Sequence, residues 1–129
     1  MTSPNLSPPH EATIDWSILE TLRAYRKEGD PDPRIRLINI FLGISPNLLK
    51  AMHSALQTAD SESLAKAAHS LKSSSLNMGA TALGELCASL EKIGKSGTTA
   101  ETGDLFTKAE LEYAAVETAF TSIVSENEN

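Results

Sequence analysis

A histidine and a lysine lie three residues apart in a segment whose apolar pattern predicts a helix. Ala65, His69, Lys72 and Leu76 follow one another at intervals of four, three and four residues, so on an α-helix they form one stripe. A neutral imidazole is a nucleophile near pH 7, and a lysine one turn away can pair with a phosphoryl group attached to the ring. The spacing therefore suggests a phosphorylatable histidine, although His-x-x-Lys pairs also occur on ordinary solvated helix faces.

The other nucleophiles and metal ligands of the chain form no comparable arrangement. His10 and His53 share no helical face with His69, so the three histidines predict no metal site. The single cysteine, Cys87, excludes an intramolecular disulfide and falls in the core register of its segment. The serine run that ends at Ser75 has no base to activate it, and Ser75 itself lies on the core stripe, where we expect it to donate to a backbone carbonyl.

Nothing in the sequence predicts a nucleotide site. The chain has no Gly-x-x-x-x-Gly-Lys-Ser/Thr motif and no clustered carboxylates near His69 that would hold Mg²⁺. We therefore expect that the protein does not use ATP by itself, needs no cofactor and is not an enzyme in its own right.

Charge and hydropathy narrow the class of partner. The net charge is −6, which argues against nucleic acid, yet residues 66–95 carry four lysines against two glutamates. Such a basic stretch in an acidic protein suits an acidic partner surface, although lysines also decorate solvated helices. The chain has no apolar run long enough to cross a membrane, and MTSPNLSPPH is no signal peptide, so we expect a cytoplasmic protein without membrane contact.

Hydrophobic periodicity predicts five helices and no strands. The segments run from about Asp15 to Lys27, from Pro33 to Leu56, from Ser61 to Met78, from Thr81 to Ile93, and from near Thr102 onward. We expect residues 1–12 to form a disordered tail or linker and residues 13–125 to form the domain. The fold class is predicted to be all-α, an up-down antiparallel four-helix bundle with a short additional N-terminal helix, and monomeric.

Several residues mark the predicted helix ends. Asp15, Asp32, Asp60 and Thr81 are candidate N-caps, and Gly79 fits the left-handed residue that closes a helix. Pro46 lies inside the second segment, where the apolar stripe continues in phase, so we expect a kink.

A family resemblance lies in residues 68–80, AHSLKSSSLNMGA, and in the spacing of Leu83, Leu86-Cys87 and Leu90-Glu91 after them. This stretch resembles the histidine-containing phosphotransfer (HPt) domain family, over roughly residues 14–97. The resemblance implies that His69 is the phosphoacceptor, through the ring nitrogen remote from the backbone, and that Lys72 offsets the phosphate charge. It also implies that Gly79 ends the helix so that the next one packs beside it.

The resemblance further implies the partners and the docking surface. The family works with receiver domains of response regulators or hybrid sensor kinases, which bring an aspartate and Mg²⁺. Around His69, a receiver would then contact Ala65, Lys66, Ser73 and Leu76. Ser73 departs from the glycine usual in the family, which affects docking rate or partner choice.

Three functions follow for comparison. The first is a phosphorelay carrier that takes a phosphoryl group from one receiver aspartate and passes it to another. The second is a helical module that docks a receiver without phosphotransfer, which the presence of both His69 and Lys72 disfavours. The third is the dimerisation and phosphoacceptor domain of a kinase, which the self-sufficient bundle disfavours. The sequence is compatible with a free-standing protein or with the C-terminal domain of a hybrid kinase.

Overall fold

The computed structural model describes residues 11–127, which fold into five helices. The helices are α1 (Ser17–Ala24), α2 (Pro33–Gln57), α3 (Ser61–Asn77), α4 (Thr81–Lys95) and α5 (Gly103–Asn127). In the bundle of four long helices, α3 packs on α2 and α4, and α5 packs on the same two helices. The short helix α1 packs on α2. The predicted four-helix bundle with a short extra helix is confirmed. Most of the predicted N-terminal tail, with His10, lies outside the described residues.

Two aspartates begin helices as predicted. The Asp32 carboxylate accepts from the backbone N–H of Arg34, with Pro33 at the first helical position, where its missing N–H costs nothing. The Asp60 carboxylate accepts from the N–H of Ser63 at 3.0 Å. These side chains satisfy backbone donors that the first turn of a helix leaves without partners.

Of the other two predicted caps, Thr81 is wrong, and Asp15 lies one residue before the assigned N-cap position. α1 is shorter than predicted, and its N-cap position is Trp16 rather than Asp15. The Asp15 carboxylate still accepts from the backbone N–H of Ser17 at 3.0 Å, at the start of the helix, and the Asp15 N–H donates to the carbonyl of Gly79 at 2.7 Å. The N-cap position of α4 is Ala80, and the Thr81 hydroxyl reaches away to the Thr13 carbonyl at 3.4 Å. The chain between residues 13 and 15 crosses the α3–α4 turn, and at Thr81 this tertiary contact replaces the local cap.

Pro46 lies within a single continuous helix. α2 runs from Pro33 to Gln57 without interruption, and the buried Ser45 hydroxyl donates to the Phe41 carbonyl one turn back at 2.7 Å. Pro46 is exposed, so its ring points away from the core. The in-phase apolar stripe predicted that the helix continues through Pro46, and the kink expected there stays a prediction.

The core follows the predicted stripes with local differences. Its largest fully enclosed apolar side chains come from all five helices: Leu19, Ile38, Phe41, Met52, Leu64, Leu71, Leu83, Leu90, Val116 and Phe120. In the first segment the spacing of Ile18, Leu22 and Tyr25 predicts one shared face, but Tyr25 is exposed, because α1 ends at Ala24 and Leu19 is its buried residue. Cys87 is fully buried, as its register predicts.

Glycines let α3 and α4 pack closely beside each other. A Cβ at Gly94 would lie 2.8 Å from the Ser61 carbonyl oxygen and 3.0 Å from the Ala65 Cβ, so no larger residue fits without movement. Gly79, at φ +83°, makes the turn between the two helices, as predicted. This close packing determines how far side chains of α4 reach toward those of α3.

Candidate functional site

His69 stands on α3 with its ring largely in solvent. Ala68, the residue before it, is fully buried, whereas 58% of the His69 side chain is exposed. The ring therefore packs one edge against the protein and presents the other to solvent. This is the accessibility that a phosphoacceptor requires.

The packed edge of the ring meets Glu91 of α4. The His69 Nδ1 lies 2.8 Å from Glu91 Oε2, and the Lys72 Nζ donates to Glu91 Oε1 at 2.6 Å. The Lys95 Nζ lies 2.9 Å from Glu91 Oε2. A single carboxylate thus connects the two residues singled out from the sequence with a second lysine on the neighbouring helix.

Glu91 is buried and ionised. Only 5% of its side chain is exposed. Hydrogen bonds from Lys72 and Lys95 lower the pKa of its carboxyl to about 2, burial opposes them, and the bond to His69 adds to the lowering. A carboxylate can be kept charged at this depth because both of its oxygens have charged or polar partners.

This charge decides which ring nitrogen of His69 is free. An ionised carboxylate can only accept hydrogen bonds, so the His69 Nδ1 must carry the proton that it donates to Glu91. In the neutral ring the lone pair then lies on Nε2, the nitrogen remote from the backbone. The arrangement thus orients a nucleophilic nitrogen toward solvent.

Lys72 lies beside the ring and is partly covered. Its side chain is 27% exposed, and the ion pair with Glu91 holds its ammonium group close to His69. The lysine therefore supplies positive charge at the edge of the site rather than in open solvent.

The residues predicted to touch a partner surround the histidine unevenly. An open groove runs from His69 toward the start of α3, and it is lined by Glu62, Ala65, Lys66, Ser70, Glu91 and Lys95. Ala65 is 9% exposed and forms part of the floor of this groove, where it lies beside Gly94 of α4. Lys66 is exposed and lies 3.9 Å from Glu62.

Ser73 and Leu76 lie on the other side of the histidine, toward the end of α3. Both are exposed, and Leu76 packs over Gly84 of α4.

Ser75, by contrast, is fully buried, and its hydroxyl has no hydrogen-bond partner within the described residues. The expected bond from Ser75 to a backbone carbonyl is therefore wrong.

Sequence reasoning assigned no role to Glu91 or Lys95. Glu91 follows Leu90 of the core stripe, and Lys95 follows Glu91 by four residues, the spacing of a helical ion pair. That spacing could have indicated an ion pair from the sequence, but only the packing of α4 on α3 shows that the pair faces His69.

His53, the other described histidine, is exposed and is not part of this cluster. Its ring stacks on that of Phe106, with the two ring centroids 5.9 Å apart.

Among residues 11–127, no three His, Cys, Asp or Glu side chains are grouped to hold a metal ion. No helix in this range combines the length and the apolar character needed to cross a bilayer.

Comparison with known proteins gives one family. The family model described as "Hpt domain" matches residues 36–119. No curated protein matches the chain. Histidine-containing phosphotransfer protein B (HptB) of Pseudomonas aeruginosa PAO1 is a structural neighbour with a TM-score of 0.80 and 30% identity, over 88% of this chain and 96% of that one.

A second neighbour shares the fold. The HPt domain of a sensor hybrid histidine kinase from Shewanella superposes with a TM-score of 0.73 at 18% identity, over 88% of this chain and 95% of that domain. The family match covers the helix of His69, the helix of Glu91 and the core between them. The chain therefore belongs to the Hpt domain family of histidine phosphotransfer proteins.

Proposed function

We propose that this protein is a phosphorelay carrier that accepts a phosphoryl group on His69 from a receiver-domain aspartate and passes it to another receiver. The observation that carries the proposal is the Glu91 hydrogen bond to His69 Nδ1, which in the neutral ring leaves the lone pair on Nε2 of a largely exposed side chain. Membership of the Hpt family supports receiver domains as the class of partner.

The transfer is an in-line displacement at phosphorus. The Nε2 lone pair of His69 forms the N–P bond while the O–P bond of the aspartyl phosphate breaks and the electron pair leaves with the aspartate carboxylate. The ring gains positive charge as the bond forms, and the Glu91 carboxylate on Nδ1–H offsets it. Passing the group onward reverses these steps with a second aspartate.

The remaining charge stabilisation would be divided between the two proteins. Lys72 supplies one cation beside the ring. The receiver would bring Mg²⁺, which neutralises the transferring phosphoryl oxygens, and this chain contributes no metal ligands of its own to the proposal. Lys66 and Lys95, both exposed at the groove beside His69, would face the acidic mouth of a receiver.

The docking surface in this proposal surrounds the histidine. Ser73 and Leu76 offer a small polar and a small apolar contact on one side, and the groove over Ala65 lies on the other.

We further propose that the protein acts as a monomer in the cytoplasm, either free-standing or as part of a hybrid kinase. Light scattering would give the oligomeric state directly.

The first experiment replaces the nucleophile. His69→Gln should abolish labelling from a phosphorylated receiver, because the amide has no nucleophilic nitrogen, and the free energy of unfolding should change little since the ring is exposed. His53→Gln, an exposed histidine on α2, is the matched control and should be labelled like the wild type. The wild-type label should be acid-labile and base-stable, as a P–N bond requires.

Three results would contradict the proposal. Labelling that persists in His69→Gln would move the acceptor to another residue. A receiver that binds the wild type without transferring its phosphoryl group would favour the docking module instead. Labelling from ATP alone, without a receiver, would favour a kinase phosphoacceptor domain.

A further inference from the structure

We propose that Lys95 is a positioning residue, which holds Glu91 while Lys72 turns from Glu91 toward the phosphoryl group on His69. The inference rests on the proposed function and concerns how the same site changes its pairing when it is loaded. It assigns separate tasks to the two lysines that meet one carboxylate.

The unloaded site ties Lys72 to Glu91. Their contact, at 2.6 Å, is the shortest of the three that Glu91 forms with His69, Lys72 and Lys95. A phosphoryl group on Nε2 adds up to two negative charges one helical turn from Lys72, and these charges compete with Glu91 for the ammonium group. As Lys72 turns toward the new anion, its bond to Glu91 Oε1 lengthens or breaks.

A buried carboxylate cannot lose its main cation without a substitute. With His69, Lys72 and Lys95 in place Glu91 is 5% exposed, and removing one partner from such a covered carboxylate leaves its charge partly uncompensated, which is costly. Without a second cation, this cost would keep Lys72 on Glu91 and away from the phosphoryl group.

Lys95 has the position and the freedom to be that second cation. It lies one turn after Glu91 on α4, already donates to Oε2 at 2.9 Å, and is 67% exposed, so its ammonium group can move to cover both oxygens. Hydrogen bonding from Lys95 is the second largest cause of the lowered pKa of Glu91, after that from Lys72. Lys95 is therefore able to keep the carboxylate charged when Lys72 leaves.

The mechanism predicts a specific form of non-additivity. In Lys95→Met, Lys72 stays on Glu91, so the variant should behave like Lys72→Met. Each should shorten the half-life of phosphohistidine or slow the transfer by about fivefold, the factor that corresponds to about 1 kcal/mol. The double variant should be no worse than either single variant, because both remove the same contact between Lys72 and the phosphoryl group.

The experiment measures phosphohistidine half-life and receiver transfer rate in wild type, Lys72→Met, Lys95→Met and the double variant. Lys92→Met is the matched control, since it removes the same charge from an exposed position on the same helix and should leave both rates unchanged. Lys95→Arg, which keeps a cation and its donors at this position, should restore most of the wild-type rate. Urea unfolding of each variant shows that the fold is retained.

The outcomes separate this inference from the proposed function. If wild type itself accepts no phosphoryl group, the proposed function fails and the inference with it. If wild type is labelled but Lys95→Met matches Lys92→Met, only the inference is wrong. If the two single effects multiply to about 25-fold in the double variant, Lys95 acts on the phosphoryl group independently of Lys72, and the inference is likewise overturned.

Discussion

Glu91 orients the site through one carboxylate that has three partners. It fixes the proton on Nδ1 of His69, holds the ammonium group of Lys72 near the ring and is itself stabilised by Lys95. A glutamine at this position would keep one acceptor oxygen but lose the charge. Position 91 therefore contributes both to the chemistry of the site and to the stability of the fold.

The lowered pKa of Glu91 predicts a pH dependence of stability. The pKa is about 2 in the folded protein against an ordinary value of 4.5, so between these values the unfolded chain binds a proton that the folded protein does not. The stabilisation from ionised Glu91 is thus complete above about pH 4.5 and is lost as the pH falls toward 2. Glu91→Gln should lower the free energy of unfolding by about 1–3 kcal/mol at pH 5, and the difference from wild type should shrink toward pH 2.

Urea unfolding of both proteins from pH 5 to pH 2 tests this dependence. Other carboxylates with lowered pKa values, such as Asp32 and Asp60, are common to both proteins and cancel in the difference. Glu85→Gln, an exposed position on the same helix, is the control and should follow wild type throughout. A difference between wild type and Glu91→Gln that stays constant across this range would contradict the assignment of the charge.

At the scale of elements, the α3–α4 hairpin sets the geometry of the site. Gly79 turns the chain, Gly94 lets the helices approach, and the segment at residues 13–15 crosses the turn. Ile14 forms a β-bridge with Ala80, and the Thr13 N–H donates to the Glu112 carboxylate of α5 at 2.9 Å. The hairpin that carries His69 and Glu91 is thereby connected to the opposite side of the bundle.

Gly79→Ala should disrupt this crossing. The new Cβ would clash with the Asp15 carbonyl oxygen, because it would lie closer than van der Waals contact allows. Alanine at φ +83° also adds backbone strain of about 1–2 kcal/mol. Gly97→Ala is a close control, because Gly97 has φ +91° but open space around it. This substitution therefore adds the backbone strain without a steric clash. We expect Gly79→Ala to lower the free energy of unfolding by at least about 1 kcal/mol more than Gly97→Ala does. Equal losses in the two variants would show that the Asp15 contact contributes nothing.

At the scale of the whole molecule, acidic charge and the histidine are on opposite sides. α5 packs on α2 and α4, the same two helices that flank α3, so α3 and α5 occupy opposite corners of the bundle. From residue 101 onward the chain has seven acidic residues and one lysine, whereas the lysines of the site lie on α3 and α4. The face around His69 is therefore less negative than the molecule as a whole, which favours an acidic partner there.

The single thiol reports on the integrity of the whole bundle. Cys87 is fully buried in the core, and burial raises the pKa of its thiol to about 12, so a thiolate-directed reagent cannot reach or activate it in the folded protein. We expect labelling by a disulfide reagent to occur only through unfolding and to accelerate with urea in parallel with the loss of helix. Ser89→Cys, which adds a thiol at an exposed position of α4, should add a fast phase. Fast stoichiometric labelling of wild type in native buffer would contradict a closed core.

The sequence by itself determined the helices, most of the core and the residue at the centre of the proposed chemistry. Periodicity located α2 to α5, the caps at Asp32 and Asp60 began two of them, and the His69–Lys72 spacing marked the site, because these features depend on neighbours within a few residues. Only the tertiary structure decided how that site is built. Glu91 and Lys95 lie more than 20 residues beyond His69, and they reach it because small residues let α4 pack closely on α3. The cap at Thr81 failed for the same reason, since a contact between distant segments took the place of a local one.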